Sequence, residues 1–188
     1  MKKELFNHIL RELSDGYSEE IDWQRNVKPC TDADEFFRET VWVILNSGMK
    51  EQIARSIWNR IQNAWKSGCT TSLAFGHKGK VAAIDHVKAN KQDLFEKYQA
   101  ATDKISFLQT IPFIGKITCW HLAKNLGHDV VKPDRHLVRI ASFYGMSPDE
   151  LCDKLSKETG EKKCVVDIVL WRAANLGMMQ DWVLETGK

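Results

Sequence analysis

Apolar residues recur three and four positions apart along nearly the whole chain, and nowhere do they alternate for long. That spacing puts one apolar stripe on an α-helix, so the sequence predicts an all-α fold. Leu5, Phe6, Ile9, Leu10 and Leu13 form the first stripe, expected to end at Ser14-Asp15-Gly16. A polar connection with Trp23 and Pro29 follows, and Thr31-Asp32-Ala33-Asp34 then offers N-caps for "EFFRETVWVILNSGM". The second half of that segment, Val41 to Leu45, is apolar on every face, which marks a central buried helix broken by Asn46-Ser47-Gly48. Ile53, Ile57, Trp58, Ile61 and Trp65 continue at helical spacing as far as Ser67-Gly68, and Trp42, Trp58 and Trp65 are expected in the core. Residues 69–110 hold shorter, more polar helical pieces separated near Gly76-His77-Lys78-Gly79. Ser147-Pro148-Asp149-Glu150 combines an N-cap, a proline at N1 and a capping-box glutamate, opening a helix to about Thr159. A last helix is expected from Val165 to about Leu176, with Asp167 and Trp171 at i, i+4.

Composition narrows the function classes. An apolar fraction of 43% and a charged fraction of 28% are those of an ordinary globular chain. No apolar run approaches the roughly 20 residues that span a bilayer, and Met1-Lys2-Lys3-Glu4-Leu5 turns acidic too early and lacks the apolar h-region of a signal peptide. The expectation is a cytoplasmic protein with no membrane partner. The five cysteines (Cys30, Cys69, Cys119, Cys152, Cys164) are scattered and lack any C-x-x-C spacing. They are read as reduced thiols, with no metal and no cofactor called for. A net charge of +2 permits a nucleic-acid partner without demanding one. Local cationic clusters stand at Lys78/Lys80, Lys88/Lys91, Lys116/Lys124 and Lys132/Arg135/Arg139.

Two features lie close together in "IPFIGKITCWHLAKNLGHDVVKPDRHLVRIASFYG". In the first, Gly115 sits among apolar residues just before a helix containing Leu122, Ala123 and Leu126. A glycine there lets the backbone turn sharply, and the helix-start N–H groups around Gly115 to Thr118 face the positive end of the helix dipole. Such a turn is a phosphate site with Lys116 as an added cation, or else a plain helix–helix turn. In the second, Asp134 follows Pro133 at the start of another helix, as an ordinary N-cap would. The same position also suits a working carboxylate.

The first of these features resembles the hairpin of the helix-hairpin-helix DNA glycosylases, whose usual form is L-P-G-V-G-x-K-T-A. "HLAKNLGHDVVKPDRHLVRIA" is similar to the segment ending at that superfamily's signature aspartate. The nearest resemblance is to the archaeal-type (type 2) 8-oxoguanine DNA glycosylases and endonuclease III-like enzymes. Ile114-Gly115, "LAKNLG", Asp134-Arg135-His136 and a late Asp167…Trp171 occur here in that family's order, and "FFRETVWVILNSG" resembles its buried second helix. The motifs concentrate in residues 34–58 and 107–172. Two positions depart from the family pattern. Phe113 stands at the first hairpin glycine, leaving Gly115 alone to relax the turn, and Ile117 stands where bifunctional members carry a catalytic lysine. Lys116 is adjacent, but neighbours on a helix point about 100° apart.

The resemblance implies excision of a flipped-out altered base from double-stranded DNA, as part of base excision repair. Breaking the N-glycosidic bond builds positive charge on the sugar, which a carboxylate stabilises. It implies Asp134 as that carboxylate, with water as nucleophile because Ile117 replaces the lysine; Lys116 as a stand-in nucleophile is the alternative. For DNA binding it implies the turn residues Phe113, Gly115, Lys116, Ile117 and Thr118, with the loop residue Met49 filling the gap left by the flipped base and Asn46 contacting the orphaned partner base, a plain helix-ending turn being the competing reading. Lys132, Arg135 and Arg139 are candidates for the DNA backbone, or a solvated face. Trp120, Asp167 and Trp171 are candidates for the base pocket, with core packing as the competing reading. His136 is expected to be structural.

The expected architecture is a single all-α unit with a helix-hairpin-helix motif and two helical lobes that flank an active-site groove. One lobe covers about 31–128 with the hairpin at 111–118, and the other about 1–30 plus 129–188. The chain is expected to be a monomer. Two rival readings stand beside the enzyme: a non-catalytic helix-hairpin-helix DNA-binding protein, and a helical protein-interaction domain without nucleic acid.

Overall fold

The computed structural model describes residues 1–179, and all the regular structure in them is helical. The helices are α1 (Lys3–Asn26), α2 (Ala33–Asn46), α3 (Glu51–Lys66), α4 (Thr71–Ala74), α5 (Lys78–Ala89), α6 (Lys91–Ala100), α7 (Lys104–Leu108), α8 (Thr118–Asn125), α9 (Arg135–Phe143), α10 (Pro148–Thr159) and α11 (Lys163–Asn175). They group into two compact units: Pro29–Leu126, and Met1–Lys28 together with the chain from Gly127 onward. No described helix is long and apolar enough to cross a membrane.

The Pro29–Leu126 unit is built around α2, which packs against α3, α5, α6 and α8. Asp32 caps it by accepting the Glu35 N–H at 2.8 Å. Phe36, Val41, Val43, Ile44 and Leu45 are all fully buried, as an apolar run on every helix face requires. Thr40, buried with them, satisfies its hydroxyl on the Phe36 carbonyl at 2.7 Å. Exposure on α2 and α3 departs from expectation. Ile53 is 50% exposed, and Trp42, Trp58 and Trp65 are half-buried rather than core. Trp58 and Trp65 instead form an aromatic cluster with Phe37, with ring centroids 5.8 to 6.5 Å apart. An indole is large and needs a partner for its N–H; Trp65 finds one in the Thr71 hydroxyl at 3.0 Å.

The other unit packs α1, α9, α10 and α11 around Phe6, Ile9, Leu13, Leu137, Leu151, Leu155, Val166 and Leu170. Its α1 does not end at Gly16 but runs to Asn26. An interior glycine costs a helix about 1 kcal/mol, and distant partners outweigh that here. Ile21 buries itself in the core. Arg25 grips Glu161 through two bonds of 2.7 and 3.1 Å, and Glu20 Oε2 accepts the Arg172 Nε–H at 2.9 Å with the Arg172 Nη2 2.7 Å away. Ser147 and Glu150 close the reciprocal capping box of α10, with Pro148 at its first position. All five cysteines are free thiols; Cys30, Cys119, Cys152 and Cys164 are buried and Cys69 is exposed.

One carboxylate in the Pro29–Leu126 unit is held against its preference. Glu39 on α2 accepts a bond from Asn125 at the end of α8, at 2.8 Å. Burial raises its pKa above the ordinary glutamate value, and the Asn125 bond opposes that shift only in part.

Two predictions follow from these helices. Gly16 lies at an exposed interior position of α1, and a Cβ built there meets nothing within 4 Å. Gly16→Ala should therefore raise stability by about 1 kcal/mol, seen as a rise of a few degrees in Tm; no rise would mean α1 is broken at that point. For Glu39, the folded state holds its proton more tightly than the unfolded state. Stability at this residue is therefore greatest in acid and falls as pH rises from the ordinary glutamate value through the folded one. Glu39→Gln keeps an acceptor for Asn125 and should be more stable than the parent at neutral pH. The gap should close in acid, as read by urea unfolding across pH.

Candidate functional site

The turn between α7 and α8 is anchored by Ile111 and Ile114, at 2% and 3% exposure, with the Ile114 N–H on the Ile111 carbonyl at 3.0 Å. Gly115 is expected to relax this turn, but the turn's left-handed residue is Phe113, at φ +71°. Gly115 instead donates its N–H to the Thr118 hydroxyl at 2.7 Å and accepts the Cys119 N–H at 3.0 Å. The N–H groups of Lys116, Ile117 and Thr118 find no protein acceptor among the described residues, so three of the four expected open donors remain. Lys116 and Ile117 are exposed beside them.

A left-handed phenylalanine costs roughly 1–2 kcal/mol, so its surroundings must hold it. The His77 ring stands perpendicular to the Phe113 ring at 5.7 Å, and the Lys80 ammonium lies 5.7 Å from the ring centroid. Gly79 leaves room for the ring, since a Cβ there would come 3.3 Å from Phe113 Cε2. Lys80 is itself 3% exposed, and burial pulls its pKa below the ordinary lysine value. It donates to the carbonyls of Leu45 and Ser47 at 2.8 and 2.7 Å, closing the C-terminus of α2. Lys80 thus joins Phe113 to the turn holding Asn46 and Met49, both half-buried. In that turn the Met49 N–H meets the Asn46 carbonyl at 3.2 Å, and Gly48 takes φ +68°.

Asp134, in the other unit, is the N-cap of α9. One oxygen, Oδ1, accepts both the His136 and Leu137 N–H groups, at 3.0 and 3.2 Å. The second, Oδ2, lies 3.5 Å from the Lys132 ammonium, and the Asp134 side chain is 13% exposed. The segment leading to it is pinned to α11 at two points. Asp129 accepts the Cys164 N–H at 2.9 Å, and Asp167 accepts the Lys132 N–H at 2.6 Å. Lys132, Asp134 and Asp167 are therefore brought together, with Asp167 buried at 2% exposure and bound to backbone. Trp171, on α11, is half-buried with the Arg172 guanidinium 4.8 Å from its ring centroid. Arg135 and Arg139 stand exposed on α9, Arg135 donating to the His136 ring at 3.4 Å. Trp120 is half-buried on α8 in the Pro29–Leu126 unit, whereas Asp167 and Trp171 belong to the other unit.

The sequence did not reveal the roles of Lys80, His77, Gly79 and Asp129. Lys80 carried a usable signal, since it stands in helical register with the buried Ala83, Ile84 and Val87, the position of a core residue rather than a surface cation. Lys124, grouped with Lys116 by sequence, is likewise buried. Asp129 carried none, because its partner lies 35 residues away.

With this geometry in view, the chain was compared with known proteins: no family model, no curated protein and no solved structure matches it.

The pinning of the Asp134 segment yields a contrast. Asp167→Ala takes the acceptor away from the part-buried Lys132 N–H and opens a gap at a 2%-exposed site, and should cost at least about 2 kcal/mol in urea unfolding. Lys132→Met removes only a partly exposed ion pair, and should cost at most about 1 kcal/mol. Equal losses would show that the ammonium, not the buried carboxylate, holds the segment.

Proposed function

We propose that this protein is a DNA glycosylase that hydrolyses the N-glycosidic bond of a flipped-out altered base, with Asp134 as its working carboxylate. The observation that carries this reading is the division of labour on Asp134: Oδ1 serves the α9 cap while Oδ2 takes no part in it. Two N–H donors, a helix N-terminus and an ammonium surround the group, an environment complementary to an anion. As the glycosidic bond breaks, its electron pair leaves with the base and the sugar becomes oxocarbenium-like. An adjacent carboxylate stabilises that charge and takes a proton from the attacking water, leaving an abasic site. The turn before α8 supports a phosphate contact through the open N–H groups of Lys116, Ile117 and Thr118 and the Lys116 ammonium. Ile117, 41% exposed at the position of the family's lysine, favours water over an amine as nucleophile. A second reading has one supporting observation: Lys132 places an amine 3.5 Å from Asp134 Oδ2, so a bifunctional glycosylase–lyase would draw on a displaced lysine, this one or Lys116.

A panel of duplexes, each with one altered base, tests the proposal. At least one should yield an abasic site that breaks only on alkaline treatment; breakage without alkali, with borohydride-trappable protein, would select the lyase. Asp134→Asn caps a helix as well as aspartate does, so it should keep the fold and DNA binding while lowering excision at least about 100-fold. Salt-sensitive binding with no excision on any duplex would identify a non-catalytic DNA-binding protein instead.

A further inference from the structure

The rings of Phe75, His77 and Phe113 form a row in the Pro29–Leu126 unit. Phe75 and His77 stack at 6.0 Å between centroids with 28° between planes, and His77 meets Phe113 at 5.7 Å and 87°. His77 is exposed, Phe113 is 41% exposed, and Phe75 is half-buried. His77 is also fixed in place, because its Nδ1 accepts the Lys80 N–H at 3.2 Å and so caps α5. The row is therefore anchored at its middle ring, with Phe75 stacked on one side of it and Phe113 edge-on at the other.

Its surroundings are cationic. Lys78 is exposed next to His77 in the chain, and Lys116 is exposed in the turn that carries Phe113. Exposed rings flanked by ammonium groups suit a ligand that offers flat π faces and anionic links at once. Nucleic acid does, and every base has such a face. In a duplex those faces are covered by stacked neighbours, so an aromatic surface of this kind can take only unpaired nucleotides. A protein partner would instead call for a continuous apolar patch, which Lys78 and Lys116 interrupt.

We propose that the Phe75–His77–Phe113 row is a stacking platform for the bases of single-stranded DNA, with Lys78 and Lys116 meeting its phosphates. The platform requires no chemistry at Asp134 and stands whether or not a base is excised. It also gives the strained turn a purpose: Phe113 accepts a left-handed backbone because the ring it carries completes the row.

The full chain is titrated, by fluorescence anisotropy at low salt, with labelled oligothymidylate and with a same-length oligomer of abasic tetrahydrofuran nucleotides. The parent should bind oligothymidylate more tightly. Phe113→Gly keeps a residue at ease in the left-handed region and removes the ring. It should weaken oligothymidylate binding about tenfold, leave the abasic oligomer unaffected, and melt within a few degrees of the parent. Phe113→Trp should restore the preference, and Phe75→Leu, outside the turn, should reduce it. Equal affinity of the parent for both oligomers, or unchanged oligothymidylate binding in both Phe113→Gly and Phe75→Leu, would overturn the platform. Oligothymidylate contains no altered base, so this result and the excision panel are read separately.

Discussion

An all-helical chain leaves four N–H groups and four carbonyls open at the ends of each helix, and here the side chains that close those ends also position the candidate residues within each unit. Asp134 closes the start of α9, Asp129 binds the first turn of α11, His77 closes the start of α5, and Lys80 closes the end of α2. Each is a polar or charged side chain fixed by a need that has nothing to do with a ligand. A capping side chain makes few bonds in fixed directions, so whatever part of it remains is presented with defined geometry. Asp134 keeps Oδ2, His77 keeps its ring, and Lys80 keeps an ammonium over Phe113.

For Asp134, this removes the opposition between structural cap and working carboxylate. A cap that used both oxygens would leave none for chemistry, and a carboxylate outside any cap would lack the donors and dipole that suit an anion. Asp167 extends the same logic one step back. By holding the Lys132 N–H from the buried face of α11, it fixes the backbone two residues before Asp134. Its carboxylate is bound to that backbone at 2% exposure, which makes it a positioning group for the candidate carboxylate.

What the sequence made legible was governed by near neighbours. The α10 capping box, the buried α2 and the Asp134 cap all depend on residues within a few positions of one another. What escaped it depends on distant partners. Gly16 looks like a helix end until Glu161 and Arg172 are known to hold the far end of α1. Gly115 looks like the flexible residue of its turn, but flexibility was the wrong quantity: the turn needs one left-handed residue, and Gly79, far back in the chain, leaves the space that lets Phe113 be that residue. Lys80 lay between these cases, since its helical register was local information that its charge obscured.

Phe113 is where local preference and the whole structure diverge most. Glycine at that position would relieve the backbone at no steric cost, and three separate features are instead spent on keeping a ring there: a bare Gly79 beside it, a perpendicular His77, and a buried ammonium. Burying Lys80 is itself unfavourable, which its lowered pKa expresses, and the carbonyls of Leu45 and Ser47 and the Phe113 ring offset that burial. An exposed ring contributes little to a hydrophobic core, so core packing does not account for this set of supports. A surface that gains from an aromatic face in a fixed orientation does account for it, and the same turn carries the open N–H groups where a phosphate would sit. Base and phosphate are the two parts of a nucleotide, and one strained residue places the means of holding both within a single turn.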